Sequence, residues 1–503
     1  MSAQTQHRVA AGLAVGVLAG VVIVGVAIGA SAAAALPALL ALIGGAVLLV
    51  RPELGLYASA MVTPVERLGR LTDDSAEFTV SIMRIIGLAA FGAYAIHCLV
   101  RRRRLYLPRE AWVLGAWVAL VAASTAWTSD PTASKRGFGL YAGNLIFFVL
   151  LINAVRSRAM ARRLIALAIT VSAVLGVYSL QQWRSSATLV VDDEVGAGAF
   201  ATSDRFSGVW IDESELDSLG ARKRLAGPTS HPTVYAANLL TLLPLCVWFF
   251  HRRLRPSLAL LLAASLGVFA VSLMLSGTRA AILTVGVVCL LLVVTRLIPL
   301  RAWSIALAIA ALAALPFAMP ESVVERIFDT QQYTMKESAS LGLRMAYWRA
   351  GLGVIRENPM LGAGYSNFHE IPRRVPELSP EATTAHNFLI QLWAELGIVG
   401  FALFLGFLGM IGANLVAAYR SFRRRGDTSD ALLCAAIGVS FVAPMILGIS
   451  CDWHHFPMKI WWLGVGLSVV LRRIALGEIE EEAPQPILPV LGPAPRSLAV
   501  TWS

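Results

Sequence analysis

The chain contains 503 residues, of which 57% are hydrophobic and only 15% are charged, whereas an ordinary soluble domain carries about a quarter charged residues. This composition excludes a typical soluble enzyme and is characteristic of a membrane protein. The formal net charge of +11 does not indicate a nucleic-acid-binding protein, because the arginines occur in short clusters between apolar segments.

The first apolar segment, residues 9–50, contains no charged residue. It is about twice the ~20 residues that one transmembrane helix needs, so it predicts two spans that meet near residues 29–31. The small residues at 31–35 resemble a signal-peptide cleavage region, but the first apolar run is longer than a usual signal-peptide core and a second run follows at once. We therefore predict a retained membrane anchor.

Apolar segments along the whole chain predict about fourteen spans when the N-terminus is placed in the cytoplasm. They lie at roughly 9–29, 31–50, 53–69, 79–100, 110–127, 139–155, 164–183, 233–250, 257–275, 280–296, 302–319, 395–418, 430–450 and 458–473. The third span contains Pro64, Glu66 and Arg67, which also fit a broken or re-entrant helix. Trp461 and Trp462 suit the aromatic belt at the membrane surface.

The arginine clusters support this topology, because short positively charged loops stay in the cytoplasm. All six clusters then face the cytoplasm: 101–104, 156–163, 252–255, 296–301, 420–425 and 472–473. The sequence thus predicts an all-α polytopic membrane protein with about 12–14 transmembrane helices and a large helical periplasmic loop.

The same topology places two long polar segments outside, at about 184–232 and 320–385. Loops of this length are commonly functional. We predict one polytopic membrane domain over residues 1–476 and a disordered cytoplasmic tail over 477–503, which is rich in glutamate and proline. The five cysteines form neither a CxxC metal site nor an obvious disulfide framework.

Arg279 lies in the sequence SGTRAAIL, at the outer mouth between two predicted spans. A guanidinium at this boundary matches an anionic lipid head group, since its planar fork binds phosphate oxygens in a bidentate manner. The alternative is an arginine that only extends to the interface. Positive charge on the outer side runs against the general rule and therefore calls for a reason.

The segment RLAGPTSHPTVYAANLLTLLP joins the first outer loop to the next span. Arg224 and His231 are polar groups near the interface, and Pro232 favours a helix start there. Asn238 falls inside the apolar run, where it is either a site residue or, more simply, a hydrogen-bonding group between helices.

The second outer loop contains an amphipathic helix, in which Leu343, Tyr347, Ala350 and Val354 recur at helical spacing. Asn358 and Pro359 end it. The helix is expected to lie against the membrane or the bundle, with its arginines at the surface: Arg344, Arg349 and Arg356. Arg344 and Trp348 are four residues apart, so cation–π stacking is an alternative to substrate binding.

His386 is the most informative histidine. In TTAHNFLIQLWAELGIVG we predict a helix start with Thr384 as the N-cap and His386 in the first turn. The positive helix end opposes protonation of the imidazole, and a neutral histidine can accept a proton from a sugar hydroxyl. The alternative is a histidine that only forms hydrogen bonds at the helix start. Glu395, two to three turns on, is either supporting or structural.

Two acidic clusters in the first outer loop, 192–194 and 212–217, could bind a divalent cation. Runs of acidic residues in loops are more often simply solvated. The sequence therefore predicts no metal site.

Three of these motifs resemble those of the O-antigen ligase and O-antigen polymerase superfamily: SGTRAAIL, the Arg344–Trp348 helix that leads to NPMLGAGYSNF, and HNFLIQLWAELGIVG. They occur in the family's order around a large outer loop, within about residues 224–418. RLAGPTSHP resembles a segment that precedes a span in bacterial polysaccharide polymerases. The chain departs from a minimal member of the family by its N-terminal hairpin and its long first outer loop, which leaves the acceptor open.

The resemblance implies a type C glycosyltransferase-like enzyme of the bacterial inner membrane with its active site on the periplasmic side. The implied donor is a glycan linked to undecaprenyl pyrophosphate, and the acceptor is a glycan or a lipid, as in lipopolysaccharide assembly. No metal, cofactor or nucleotide sugar is implied.

The family's site residues can be carried onto matching positions. Arg279 and Arg344 would bind the donor pyrophosphate, joined by Arg224, and His386 would be the base that activates the acceptor hydroxyl. The residues expected to support this site are His231, Trp348 and Glu395.

Two other functions remain open. A transporter or flippase for the lipid-linked glycan would need polar groups along a path through the membrane, and charges within the predicted spans are scarce. A catalytically silent assembly or sensing protein that keeps the same scaffold is the other alternative.

Overall fold

A computed structural model describes residues 44–45, 47–48, 51–65, 81–185, 199–200, 209–211, 223–229, 231–252, 254–298, 331–368, 384–451 and 458–479. Several predictions fall outside these ranges. They are the first predicted span, nearly all of the second, the span at 302–319, both acidic clusters and the tail from residue 480.

Within the described ranges the protein is almost entirely helical. The helices are α1 Pro52–Met61, α2 Ile82–Val100, α3 Arg109–Ala123, α4 Pro131–Ala154, α5 Arg158–Ser185, α6 Pro232–Phe249, α7 Pro256–Leu275, α8 Arg279–Val294, α9 Gln331–Glu357, α10 Phe388–Arg424, α11 Thr428–Leu447 and α12 Lys459–Ala475. A small antiparallel sheet joins β1 Ala199–Phe200, β2 Val209–Ile211 and β3 Lys223–Leu225 in that order. Seven of the described helices, α2, α4, α5, α6, α7, α10 and α11, are long and apolar enough to cross a membrane. The predicted fold class, an all-α polytopic membrane protein, is confirmed.

The predicted arginine clusters meet at one end of the bundle, which we call the basic end. Arg158 at the start of α5 pairs with Asp427 and Asp430, which flank the start of α11. The Trp248 indole near the end of α6 donates to the carbonyl of Ser429 at the same place, and Arg473 near the end of α12 donates to the Ile152 carbonyl of α4. These contacts place the starts of α5 and α11 together with the ends of α4, α6 and α12 at this end.

The starts of α2, α4, α6, α8, α10 and α12 therefore lie together at the other end, which we call the opposite end. The start of α10 touches the end of α11 there, since the Phe388 amide donates to the Gly448 carbonyl at 3.0 Å. Proline at the first helical position favours the starts of α4 and α6. Every site residue predicted from the sequence belongs to this end or to the segments that lead into it.

An aromatic cluster forms the core beneath the opposite end. The rings of Trp117, Tyr141 and Tyr365 pack edge to face, with centroid separations of 4.3 Å for Trp117–Tyr141 and 5.9 Å for Tyr141–Tyr365. Trp462 also packs against Tyr141 and is 2% exposed, and Trp461 is 1% exposed. The prediction that these two tryptophans belong to an interfacial belt was wrong, because both lie inside the bundle.

Two predicted spans have different limits in the structure. The span predicted at 53–69 is described to residue 65, and within that part its helix ends at Met61, because Pro64 disfavours helical backbone at Thr63 and lacks an amide hydrogen of its own. The span predicted at 395–418 is part of the longer α10, which runs from Phe388 to Arg424 and is broken at Gly397.

Candidate functional site

A hydrogen bond joins the Arg344 helix to the His386 segment. The predicted amphipathic helix corresponds to α9, which ends at Glu357, immediately before Asn358 as expected. The Trp348 indole donates to the carbonyl of Ala385 at 2.9 Å. Arg344 precedes Trp348 by four residues and so lies on the same face of the helix. The structure thus brings Arg344 and His386 into one region.

The other arginines of α9 are more exposed to solvent than Arg344 is. Tyr347 and Val354 pack with Phe368 and Ala394 in a small core between α9 and α10. Arg349 is exposed, as is Arg356, whereas Arg344 is half-buried. Arg349 and Arg356 therefore lie at the surface, as predicted, and the helix packs against α10.

The helix start at His386 differs from the prediction. The N-cap of α10 is Asn387, whose side-chain oxygen accepts from the amides of Leu389 and Ile390. Thr384 is not the cap, and His386 lies one residue before the cap instead of in the first turn. Asparagine caps a helix more strongly than threonine does, and this shifts the helix start by three residues.

His386 has a left-handed backbone, with φ of 49°, which is uncommon for a residue other than glycine. Its Nδ1 lies 3.4 Å from the Thr384 hydroxyl oxygen. Its imidazole is half-buried. The strained backbone turns the residue out of the helix that follows, at the edge of the bundle.

A chain of hydrogen bonds connects the His386 segment to the glycine-rich loop 358–368. The Ala385 amide donates to Gln391 Oε1, and Gln391 Nε2 donates to Glu395 Oε1 at 3.1 Å. Glu395 Oε2 then accepts from the Ser366 amide at 3.0 Å. Glu395 and Gln391 are both 0% exposed. Glu395 therefore acts as a buried support that holds two motifs in a fixed relation.

The glycine-rich loop also occupies the break in α10. Gly397 has φ of 63° and leaves the helical path, so the amides of Ile398 and Val399 donate instead to the carbonyls of Pro359 and Met360. In return the amides of Ala363 and Gly364 donate to the carbonyls of Ala394 and Glu395. A Cβ on Gly397 would lie 2.2 Å from the Met360 oxygen. Only glycine permits this close approach.

The end of the same loop is fixed to the start of α4. The Tyr365 amide donates to the Ser124 hydroxyl, and the Ser134 hydroxyl donates to the Tyr365 carbonyl. The Asn367 side chain pairs with Ser129. Tyr365 lies across Gly137, where a Cβ would be 2.1 Å from the tyrosine ring. The loop is thus held on both sides, by α10 and by α4.

A second group of predicted residues lies at the turn between α7 and α8. Arg224 on β3 is only 8% exposed. Its Nε donates to the Ser276 carbonyl at 3.0 Å, and its Nη2 donates to the Thr278 hydroxyl at 3.3 Å. Arg279 follows at once as the first residue of α8. Arg224 and Arg279 are therefore neighbours through this turn.

His231 is the N-cap of α6. Its Nδ1 accepts from the Thr233 amide at 3.2 Å, so in a neutral ring the proton is on Nε2. Pro232 begins the helix as predicted. His231 thus has a structural role at a helix start, close in sequence to the strand that carries Arg224.

A cavity of about 500 Å³ opens at the opposite end, between the starts of α2, α4 and α12. Three cationic side chains line it, Arg84, Arg136 and Lys459, together with Asn238 and Ser366. The sequence analysis passed over these cations. The argument applied to Arg279, that positive charge on the outer side asks for a reason, would have selected all three.

No group of three or more histidine, cysteine, aspartate or glutamate side chains lies close enough to hold a metal ion in the ranges that the structure describes. Guanidinium, imidazole and amide groups make up the site instead.

A model of the O-antigen ligase family matches residues 264–405. The match includes Arg279, Arg344, His386 and Glu395, and it stops short of Arg224. It supports the O-antigen ligase and polymerase superfamily that the motifs indicated, and with it glycan transfer of this general kind, between a lipid-linked glycan and an acceptor. No curated protein matches the chain.

Proposed function

We propose that the protein transfers a glycan from undecaprenyl pyrophosphate to an acceptor hydroxyl at the outer face of the bacterial inner membrane. The reaction inverts the anomeric centre and needs no metal ion. In this proposal the opposite end of the bundle faces the periplasm and the basic end faces the cytoplasm, in agreement with the positive-inside rule.

The observation that carries the proposal is the Trp348–Ala385 hydrogen bond. It joins the helix that bears Arg344 to the segment that bears His386, inside the region matched by the O-antigen ligase family. A phosphate-binding cation and a proton acceptor in one region are what this transfer needs.

His386 acts as the general base. The acceptor oxygen forms a bond to the anomeric carbon while the bond from that carbon to the pyrophosphate oxygen breaks. The acceptor proton passes to the imidazole, and the electron pair of the broken bond leaves with undecaprenyl pyrophosphate. Attack from the face opposite the leaving group inverts the centre in a single displacement.

Arg279 and Arg344 bind the pyrophosphate and stabilise the negative charge that grows on it as the bond breaks. Their forked donors match the phosphate oxygens in geometry. Arg224 is largely buried and holds the turn before Arg279 through Ser276 and Thr278, so it positions Arg279 while adding positive charge behind it.

The decisive experiment is transfer in vitro with the purified full chain. A glycan on undecaprenyl pyrophosphate is offered with candidate acceptors, lipid A core or a second lipid-linked unit, and free undecaprenyl pyrophosphate is measured. Acceptor-dependent release supports the proposal. Movement of the lipid-linked glycan across proteoliposomes without release would favour the transporter instead, and neither release nor movement would favour the silent assembly role.

A further inference from the structure

The cavity between α2, α4 and α12 has cations arranged along one helix face. Arg136, Gly139 and Gly143 follow each other at spacings of three and four residues on α4, so they share a face. A methyl group on Gly139 would lie 3.6 Å from Arg84 Nη1, and one on Gly143 would lie 3.6 Å from Lys459 Nζ. The three cationic head groups therefore follow this face within about two helical turns, each turn rising about 5.4 Å.

Lys459 is a buried cation, at 9% exposure. Among the described residues its ammonium donates to Asn144 Oδ1, and an ammonium has three donors. The described lining of the cavity holds three cations and no carboxylate. Phosphate oxygens accept charge-assisted hydrogen bonds from guanidinium and ammonium groups, so a lining of this kind suits an anionic ligand.

Asn238 supplies an independent indication of a ligand. It is 6% exposed and lines the cavity, yet its Oδ1 has no hydrogen-bond partner among the described residues. Buried polar atoms normally have a partner. Since the amide oxygen and nitrogen are assigned by convention at this position, either atom is available to a polar ligand.

Most of the remaining lining is apolar, and one side opens outward. Leu88 on α2 lines the cavity and is 57% exposed, and most of α2 lies at the outside of the bundle. The cavity is therefore open towards the surface that a membrane would cover. Gly87 and Gly143 keep the space clear, at helix-interior positions where glycine costs about 0.5–1 kcal/mol relative to alanine.

We propose that this cavity is a second phosphate site, which binds the head group of a phosphate-bearing lipid between Arg84, Arg136 and Lys459 with its chain passing Leu88. Resting on the proposed function, which assigns Arg279 and Arg344 to the donor, the lipid bound here is the acceptor. Ser366 lies in this wall, and its amide is bound to Glu395, so the cavity is tied to the support of the His386 segment.

The binding experiment uses the purified full chain in detergent with phosphatidic acid as the probe, diacylglycerol as the phosphate-free control and inorganic phosphate as the lipid-free control. Phosphatidic acid should bind the wild type, diacylglycerol should not, and inorganic phosphate should bind more weakly than the lipid. Arg136→Gln and Lys459→Gln should each weaken phosphatidic acid binding by roughly ten-fold or more, the usual effect of losing a charge-assisted hydrogen bond.

Lys135→Gln is the matched control, because it removes the same charge from the adjacent residue, which does not line the cavity. It should bind phosphatidic acid as the wild type does. Gly143→Leu should block binding by filling the space while retaining all three cations. Equal binding by Arg136→Gln, Lys459→Gln and Lys135→Gln would overturn the site, and inorganic phosphate binding as tightly as the lipid would overturn the lipid ligand.

Kinetics then test the acceptor assignment. Arg136→Gln should raise the KM for a lipid-linked acceptor and leave the KM for the donor unchanged, and a raised donor KM alone would overturn the assignment. A wild type that transfers no glycan would refute the proposed function and with it the acceptor role. The phosphatidic acid site itself would still be decided by the binding experiment.

Discussion

The two ends of the helix bundle use buried carboxylates in different ways. At the basic end, Asp430 is 3% exposed and pairs with Arg158 and Arg162. At the opposite end, Glu395 is 0% exposed and accepts from the Ser366 amide and the Gln391 side chain. Where both partners of an ion pair are described, the pair lies at the basic end. The first carboxylate neutralises cations, and the second shapes the backbone around a site.

This difference agrees with the proposed roles of the two ends, in which only the opposite end binds substrates. At the basic end, charge pairing joins the start of α5 to the start of α11. At the opposite end, backbone hydrogen bonds hold the loop 358–368 and the His386 segment together, and the cations of that end face a cavity or the proposed donor site. The following predictions test this contrast.

The largest effect is expected from removing the proposed base. His386→Ala should lower the transfer rate by about 10² to 10⁴, the usual share of general acid–base catalysis, with donor binding nearly unchanged. His386→Asn should do the same, and asparagine tolerates the left-handed backbone better. Single-turnover rates and donor binding are measured for both. Near-normal transfer by folded His386→Asn would remove the base role, and His231 and Glu395 would be tested next.

The break in α10 gives the next largest effect. Gly397→Ala should destabilise the protein by about 3 kcal/mol or more, because it combines a left-handed alanine with a clash against the Met360 carbonyl. Gly406→Ala in the same helix meets nothing within 4 Å and should be neutral or slightly stabilising. Thermal unfolding in detergent compares them. Equal melting temperatures would mean that the loop does not lock into the break.

Comparing the half-buried Arg344 with the exposed Arg349 tests whether donor binding is specific to Arg344. Arg344→Ala should weaken donor binding and slow transfer by roughly ten-fold to a hundred-fold, the value of one charge-assisted hydrogen bond of about 1.5–3 kcal/mol. Arg344→Lys should restore part of this, because it keeps the charge and loses the fork. Arg349→Ala, an exposed arginine of the same helix, should have little effect. Similar losses for Arg344→Ala and Arg349→Ala would contradict a specific donor contact.

Substituting Asp430 and Glu395 compares the two buried carboxylates directly. Asp430→Asn should lower thermal stability and leave the transfer rate of the folded protein unchanged. Glu395→Gln keeps one carbonyl oxygen, so it loses at least one of the two hydrogen bonds to Ser366 and Gln391, at a cost of about 1–3 kcal/mol. Its transfer rate should fall as the His386 segment loosens. If Asp430→Asn slowed transfer more than Glu395→Gln, the contrast between the two ends would be wrong.

The smallest expected effect is that of a chelator. Because the proposed site offers guanidinium groups to the phosphates, transfer should continue in excess chelator at an unchanged rate. Loss of transfer that magnesium or manganese restores would show that the acidic clusters in the first outer loop bind a metal.

The sequence predicted correctly those features that depend only on residues close together along the chain. Helix type follows from hydropathy over about twenty residues, and the common side of the arginine clusters follows from the charge of short loops. Thus the helical class, the Pro232 start and the end of α9 before Asn358 and Pro359 agree with the structure. The motifs around Arg279, Arg344 and His386 were also enough to indicate the superfamily.

Contacts between distant segments were decided only by the tertiary structure. The break at Gly397 and the burial of Glu395 both depend on the loop 358–368, whose carbonyls and amides replace the missing helical partners. The cavity depends in the same way on α2, α4 and α12, whose cations are separated by long stretches of chain. Hydropathy and helical spacing describe neighbours along one element, whereas these features arise where backbone groups from different elements satisfy one another.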